Sequence, residues 1–184
     1  VLEGVKRGLQ DAPNVAVSTL VSTSQVRDGW SYVRGLDDFG YNYPLRSLVA
    51  GPYLGGQGEK EAVYPIRYND KDNNPLSGQN TYTINLVTQP PVNAFWSITM
   101  YDADTKMLVE NPVNRYKVGS DTKGLAKEKD GSLKIVISHE KPTGKDVNWL
   151  PAPEHNFYLL FRMYQPKDAV MDGSWKLPEV VKDN

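Results

Sequence analysis

The chain has no cysteine. That single absence removes disulfide staples, thiolate metal sites, cysteine nucleophiles and iron–sulfur clusters from the candidate chemistries, and it fits any redox compartment. Histidine is nearly as scarce. His139 and His155 are the only two, and no H-x-x-x-H or H-E-x-x-H spacing sets two imidazoles on one helix face for zinc. An excess of one charge is also missing: the formal net charge is -1, with both signs interleaved. No basic face therefore points to nucleic acid, and no polybasic tail points to an anionic membrane surface. No apolar run approaches the roughly 20 residues that span a bilayer as a helix. Glycosylation acceptors, Gly-rich phosphate loops, G-x-S-x-G elbows and fixed-period repeats are all absent. No metal and no cofactor is expected.

What remains is a chain of 184 residues. That length suits one compact domain burying roughly 70% of its unfolded surface. Starting at Val1 and not Met, the chain reads as a processed form or a fragment. Residues 1–10 lack the basic-then-apolar layout of a secretory signal. Leu2, Val5 and Leu9 recur at helical spacing and predict a short amphipathic helix ending before Pro13. The β-branched run Asn14 to Ser24 fits strand or helix equally. Asp28, Trp30, Tyr32, Val33 and Leu36, then Tyr41 to Leu54, read as two helical pieces broken near Gly40 and Pro44 and ended by Gly51-Pro52 and Gly55-Gly56.

Past Gly58 the periodicity changes to two. Ala62 to Tyr68 and Tyr82 to Leu86 alternate on either side of a turn-rich stretch, which predicts a hairpin with a long loop; Pro65 demotes the first run to an edge. Phe95 to Tyr101 is the clearest central strand. Leu133 to Ser138 and Phe157 to Tyr164 follow, then helical turns over Pro166 to Met171 stopped by Gly173, then a Pro-interrupted edge segment, Trp175 to Lys182. Short strands between turn signals predict an α+β, mainly β protein: an antiparallel β-sandwich with jelly-roll character (59–184) preceded by short N-terminal helices (1–58) packing on it.

Alternation assigns faces. Trp96, Ile98 and Met100 share one side of the opening strand, and Phe157, Leu159, Phe161 and Met163 one side of the later one. The opposite faces carry Tyr101 and Tyr158, Leu160, Arg162, Tyr164. If the strands neighbour one another, those faces form an aromatic and polar wall that stacks on sugar rings or other flat ligands; the alternative is a solvated sheet face with ordinary cross-strand pairs. Asp102 and Asp104 follow directly, as candidate acid and base of a glycoside hydrolase or as the polar turn that ends a strand. Arg115, beside Asn111, Asn114 and Tyr116, offers a planar fork for an anion or pairs structurally. Trp149 is either a loop anchor or a platform at a cleft mouth. Asp70-x-Asp72-x-Asn74 imitates a calcium loop but has Pro75 where Gly is needed and Thr81 where Glu is needed. His139 beside Ser138 leaves a triad formally open.

Five ordered motifs carry a family resemblance: Phe95-Trp-Ser-Ile-Thr-Met-Tyr-Asp102, Asn111-Pro-Val-Asn-Arg-Tyr116, Asp130-Gly-Ser-Leu133, Asn148-Trp-Leu-Pro-Ala-Pro153 and Asp172-Gly-Ser-Trp175. Together with Tyr41-Asn-Tyr-Pro-Leu-Arg46 and Glu61-Ala-Val-Tyr-Pro65, they resemble the bacterial domain of unknown function numbered 1214, from about Gly29 to the end. The resemblance implies a β-sandwich of jelly-roll character. It also implies a periplasmic or exported location, since many members resemble exported proteins and often carry a domain of unknown function numbered 1254 before this one. It implies no reaction. Two readings stand: a carbohydrate or small-molecule site, binding or hydrolytic, on the aromatic and carboxylate-bearing face; or a non-catalytic module for binding partners or assembling a homo-oligomer.

Overall fold

The computed structural model describes residues 1–50, 53, 55–144 and 146–183. Helix α1 spans Leu2–Thr23 and runs through Pro13. The expected stop at Pro13 does not occur. The ambiguous stretch continues the helix, with Ser18, Thr19, Ser22 and Thr23 donating hydroxyls to carbonyls three or four residues back. Back-bonding lets these β-branched and hydroxyl residues sit in a helix, and it hides them from a propensity reading. None of the residues of α1 is buried. Among the described residues, no helix is long and apolar enough to cross a membrane.

The helical reading of residues 28–36 is corrected. Strands β1 (Ser24–Arg27) and β2 (Trp30–Val33) form an antiparallel hairpin. Asp28 (φ 52°) and Gly29 (φ 77°) make its two-residue turn. Positive φ at both central positions is the Asp-Gly signature that matches strand twist. Helix α2 (Tyr43–Val49) falls within the expected second helical piece, with Asn42 Oδ1 capping Leu45 N at 3.1 Å and Pro44 in the first turn. The predicted stop Gly51-Pro52 and the end of that run at Leu54 lie outside the described residues.

Next come β3 (Ala62–Val63) and β4 (Ile66–Arg67), split at Pro65, then β5 (Tyr82–Leu86), β6 (Trp96–Asp102), β7 (Lys117–Gly119), β8 (Leu133–Ser138), β9 (Asn148–Pro151), β10 (Phe157–Tyr164), helix α3 (Asp168–Asp172) and β11 (Val180–Lys182). One sheet has seven strands, ordered β1-β2-β4-β10-β6-β7, with β3 also on β10; the other has four, ordered β11-β5-β8-β9. All pairs are antiparallel except β8 with β9. Strands β4 and β5 lie in different sheets, so the expected hairpin between them is instead a crossover.

The two sheets share one core. Trp96, Ile98, Met100, Phe157, Leu159, Phe161 and Met163 from the larger sheet meet Tyr82, Ile84, Leu86, Leu133, Ile135 and Ile137 from the smaller. Phe161 is packed between Trp30 and Trp96 at ring distances of 5.7 and 5.8 Å. A second cluster lies on the far side of the larger sheet. Leu36, Leu45, Leu48, Val49 and Tyr53 pack with Ile66, Tyr158 and Leu160, and Leu20 of α1 joins them. Residues 36–50, with Tyr53, Gly55 and Gly56, therefore roof the outer sheet face, and the pocket described next lies beneath that roof.

Candidate functional site

Along β10 the inward side chains are buried and the outward ones half-exposed in strict alternation. Its neighbours fix which outward groups meet. Tyr158 pairs with Tyr101, Leu160 with Thr99 and with Ile66, and Arg162 with Ser97. The segment entering and leaving β4 repeats the pattern, with Tyr64, Ile66 and Tyr68 lining the same cavity as Tyr101, Tyr158 and Arg162. Tyr53, Gly55 and Gly56 close it from the roof and Lys106 and Tyr164 from the ends, enclosing a cavity of about 540 Å³. That lies within the roughly 300–1,000 Å³ of small-molecule sites.

The rings are mutually ordered. Tyr158 stacks on Tyr101 at 5.4 Å and 14° and tilts against Tyr68 at 5.4 Å and 34°. Tyr164 stacks on Phe95 at 4.3 Å and meets Tyr64 edge-on at 6.4 Å. Arg162 donates from Nη1 to Thr99 Oγ1 at 2.9 Å and from Nη2 to the Tyr101 hydroxyl at 2.6 Å. Lys106 Nζ lies 5.7 Å from the centre of the Tyr158 ring and donates to Ala103 O. Burial pushes the Tyr158 phenol up to about 12, and it raises Tyr53, Tyr64 and Tyr68 as well. Every one of these hydroxyls therefore stays protonated at neutral pH, able to donate as well as accept.

The remaining predicted residues lie elsewhere. Asp102 turns away from the cavity. It bonds His155 Nε2 and accepts from Asp104 N at 2.8 Å and Thr105 N at 2.7 Å, the Asx turn that ends β6. The bond from His155, with these backbone donors, holds its carboxyl well below the usual carboxylate range. Asp104 is exposed in that turn. Asn111 shares a second cleft of about 400 Å³ with Asp102, His139 and His155, while binding its own loop through Val109 O and Arg115 O. Arg115 donates to Trp149 O at 3.0 Å, and Tyr116 to Asn114 Oδ1 at 3.3 Å. Trp149 is buried in β9, its Nε1 donating to Ser138 O at 3.0 Å. Ser138 donates to Glu140 O and the His139 ring bonds Ala152 O, so the two do not pair. Asp70 Oδ1 accepts from the backbone of Asp72 and Asn74, an internal cap of its loop.

The model of a protein family of unknown function, DUF1214, matches residues 61–168. The chain belongs to that family. The DUF1214 match takes in β3 to β10 and so contains Tyr64, Tyr68, Tyr101, Lys106, Tyr158, Arg162 and Tyr164. Among solved structures, the VPA0106 protein of Vibrio parahaemolyticus is similar at 28% identity and a TM-score of 0.66, covering 98% of this chain and 44% of that one. An uncharacterised protein from Burkholderia cenocepacia is similar at 14% identity and a TM-score of 0.47, covering 70% of this chain and 30% of that one. This DUF1214 chain thus spans less than half the length of either. None of the curated proteins matches it.

Reading the sequence strand by strand found Tyr101, Tyr158, Arg162 and Tyr164 but not Tyr53, Tyr64, Tyr68 or Lys106. A signal for two of these is present. Tyr64-x-Ile66-x-Tyr68 mirrors Tyr158-x-Leu160, aromatic and aliphatic in the same period of two. Tyr53 and Lys106 come from a roof loop and a turn, whose positions no periodicity encodes.

Proposed function

We propose that this domain binds a small ring-shaped ligand, carbohydrate foremost, in the tyrosine pocket, and holds it without cleaving it. One observation carries the reading: aromatic side chains from the β4 segment, β6, β10 and the roof converge on one cavity of about 540 Å³. Stacked tyrosines present flat apolar faces and hydroxyl edges, the pairing a sugar ring needs. The candidate acid and base, Asp102 and Asp104, do not line that cavity, which favours binding over hydrolysis. Saturation-transfer NMR against a panel of mono- and oligosaccharides tests the binding. Wild type is expected to show contacts that Tyr158→Ala loses, and no contact across the panel would overturn it. Reducing-sugar release by wild type but not by Asp102→Asn would restore hydrolysis.

A second reading, an assembly module, is favoured by α1. Leu2, Val5 and Leu9 are 71, 54 and 72% exposed on the helix whose Leu20 enters the roof cluster. Light scattering across a concentration series tests it; a strict monomer at every concentration removes it.

A further inference from the structure

We infer that the ligand of the tyrosine pocket is an acid, a ring bearing a carboxylate that docks against Arg162 with help from Lys106. The inference rests on the pocket being the binding site and adds the charge of its occupant.

Arg162 is the starting point. It is half-buried in the pocket wall, and its two bonds within the protein go to neutral hydroxyls, Thr99 Oγ1 and Tyr101 OH. A guanidinium carries five N–H donors. Three are therefore left for something else. Among the described residues, no aspartate or glutamate forms an ion pair with Arg162 or Lys106. None lines the cavity either. A charge withdrawn from water costs free energy unless it is paired, and this wall leaves one partly withdrawn and unneutralised.

Four other arginines show the contrast. Arg27, Arg67 and Arg115 aim their N–H groups at backbone carbonyls, and Arg34 faces Glu59 at 4.0 Å. Arg162 instead engages oxygens that carry protons of their own. By occupying a lone pair of the Tyr101 hydroxyl, it leaves that O–H free to donate outward, so that a fork and a hydroxyl converge as donors. The half-buried phenols around them stay protonated to high pH and add donors but no competing negative charge. Lys106 lies over the Tyr158 ring on the same cavity and supplies a second positive charge. Faces for a ring, donors and two cations, with no carboxylate, describe a receptor for an acidic ring. A uronic acid sugar and an aromatic carboxylic acid share this chemistry.

Matched pairs of probes test it. Galacturonate against galactose and 4-hydroxybenzoate against 4-hydroxybenzyl alcohol each differ in one group, and titration calorimetry on wild type, Arg162→Gln, Arg162→Lys and Lys106→Gln reads the difference. The acid of at least one pair is expected to bind wild type about 10-fold or more tighter than its neutral partner, the scale of a charge-assisted bond. Arg162→Gln should abolish that ratio, while Arg162→Lys and Lys106→Gln should each retain part of it. Which pair responds distinguishes sugar from aromatic acid. Equal binding of acid and neutral partner overturns the inference and leaves the pocket standing; no binding by any probe overturns both. Lys106 is exposed, so its variant reports on charge even if the Arg162 variants fail to fold. A ratio unchanged in Lys106→Gln and in every folded Arg162 variant also overturns it.

Discussion

The turn between β1 and β2 offers a sharp test of how the outer sheet is held. A Cβ built on Gly29 would lie 1.6 Å from Arg67 Nη1 and 2.5 Å from its Cζ. An arginine tip normally swings aside, but this one is only 4% exposed. It is also tied to three carbonyls, Asn69 O at 2.5 Å, Asp28 O at 2.7 Å and Asp70 O at 2.8 Å. Gly29→Ala therefore carries two penalties. The left-handed backbone (φ 77°) costs an alanine roughly 1–2 kcal/mol. Overpacking adds roughly 1–3 kcal/mol, and losing the bond to Asp28 O about 1.5 kcal/mol more. We expect a total of about 3.5–6.5 kcal/mol in urea unfolding. Gly35 is the internal control: its φ is 69° and nothing lies within 4 Å of a built Cβ. Gly35→Ala should cost only the backbone share, about 1–2 kcal/mol. In an Arg67→Met background, Gly29→Ala should fall to that same value, giving a coupling of about 2.5–4.5 kcal/mol in the double-mutant cycle. If Gly29→Ala costs no more than Gly35→Ala, or the coupling is below about 0.5 kcal/mol, the idea of a locked arginine under the turn is refuted.

Three further outcomes are expected. Tyr158→Leu removes both ring pairs of Tyr158 and should cost about 1–3 kcal/mol of stability, measured by urea unfolding; a loss under about 0.5 kcal/mol would mean the rings are not energetically coupled. The depressed carboxyl of Asp102 stabilises the fold at pH values above its unfolded pKa of about 4, and that contribution is lost as pH falls through the lower folded value. Asp102→Asn should therefore be less stable than wild type by about 1–3 kcal/mol at neutral pH, with the gap closing below about pH 4; a gap that persists in acid would show the carboxylate is not responsible. Tyr158, raised to about 12, has the opposite sign: its contribution is complete below the unfolded value near 10 and disappears as pH climbs through 12. An ultraviolet titration should show fewer phenols ionised at pH 11 in the native protein than in urea, and one of them should be missing from the late-titrating set in Tyr158→Leu.

Periodicity decided which parts of the fold were legible. Strands β5, β8 and β10 begin and end where alternation places them, because one face must bury Ile84, Ile135 or Leu159 and the other need not. Short β2 carries too few residues for any period to emerge, and Trp30, Tyr32 and Val33 read equally well as one helix face. The Asp28-Gly29 pair held the better signal there. Partners across the sandwich were hidden for a different reason: the turn cluster between β4 and β5 looks the same whether it joins neighbours or crosses to the other sheet. The site divided along the same line. Tyr158, Arg162 and Tyr101 lie on paired strands and were predictable as a wall, whereas Asp102 sits where β6 ends and its direction is set by the His155 contact and by backbone donors of the following turn.

Strand β10 carries two independent texts in alternate letters. Phe157, Leu159, Phe161 and Met163 hold the sandwich together, and Tyr158, Leu160, Arg162 and Tyr164 face the cavity. Substitution in one set leaves the packing of the other largely untouched, since the two lie on opposite sides of a single sheet. Under the proposed binding role, recognition can therefore drift while the scaffold stays put. A library that varies the four outward positions together should keep more of its members folded than one that varies the four inward positions.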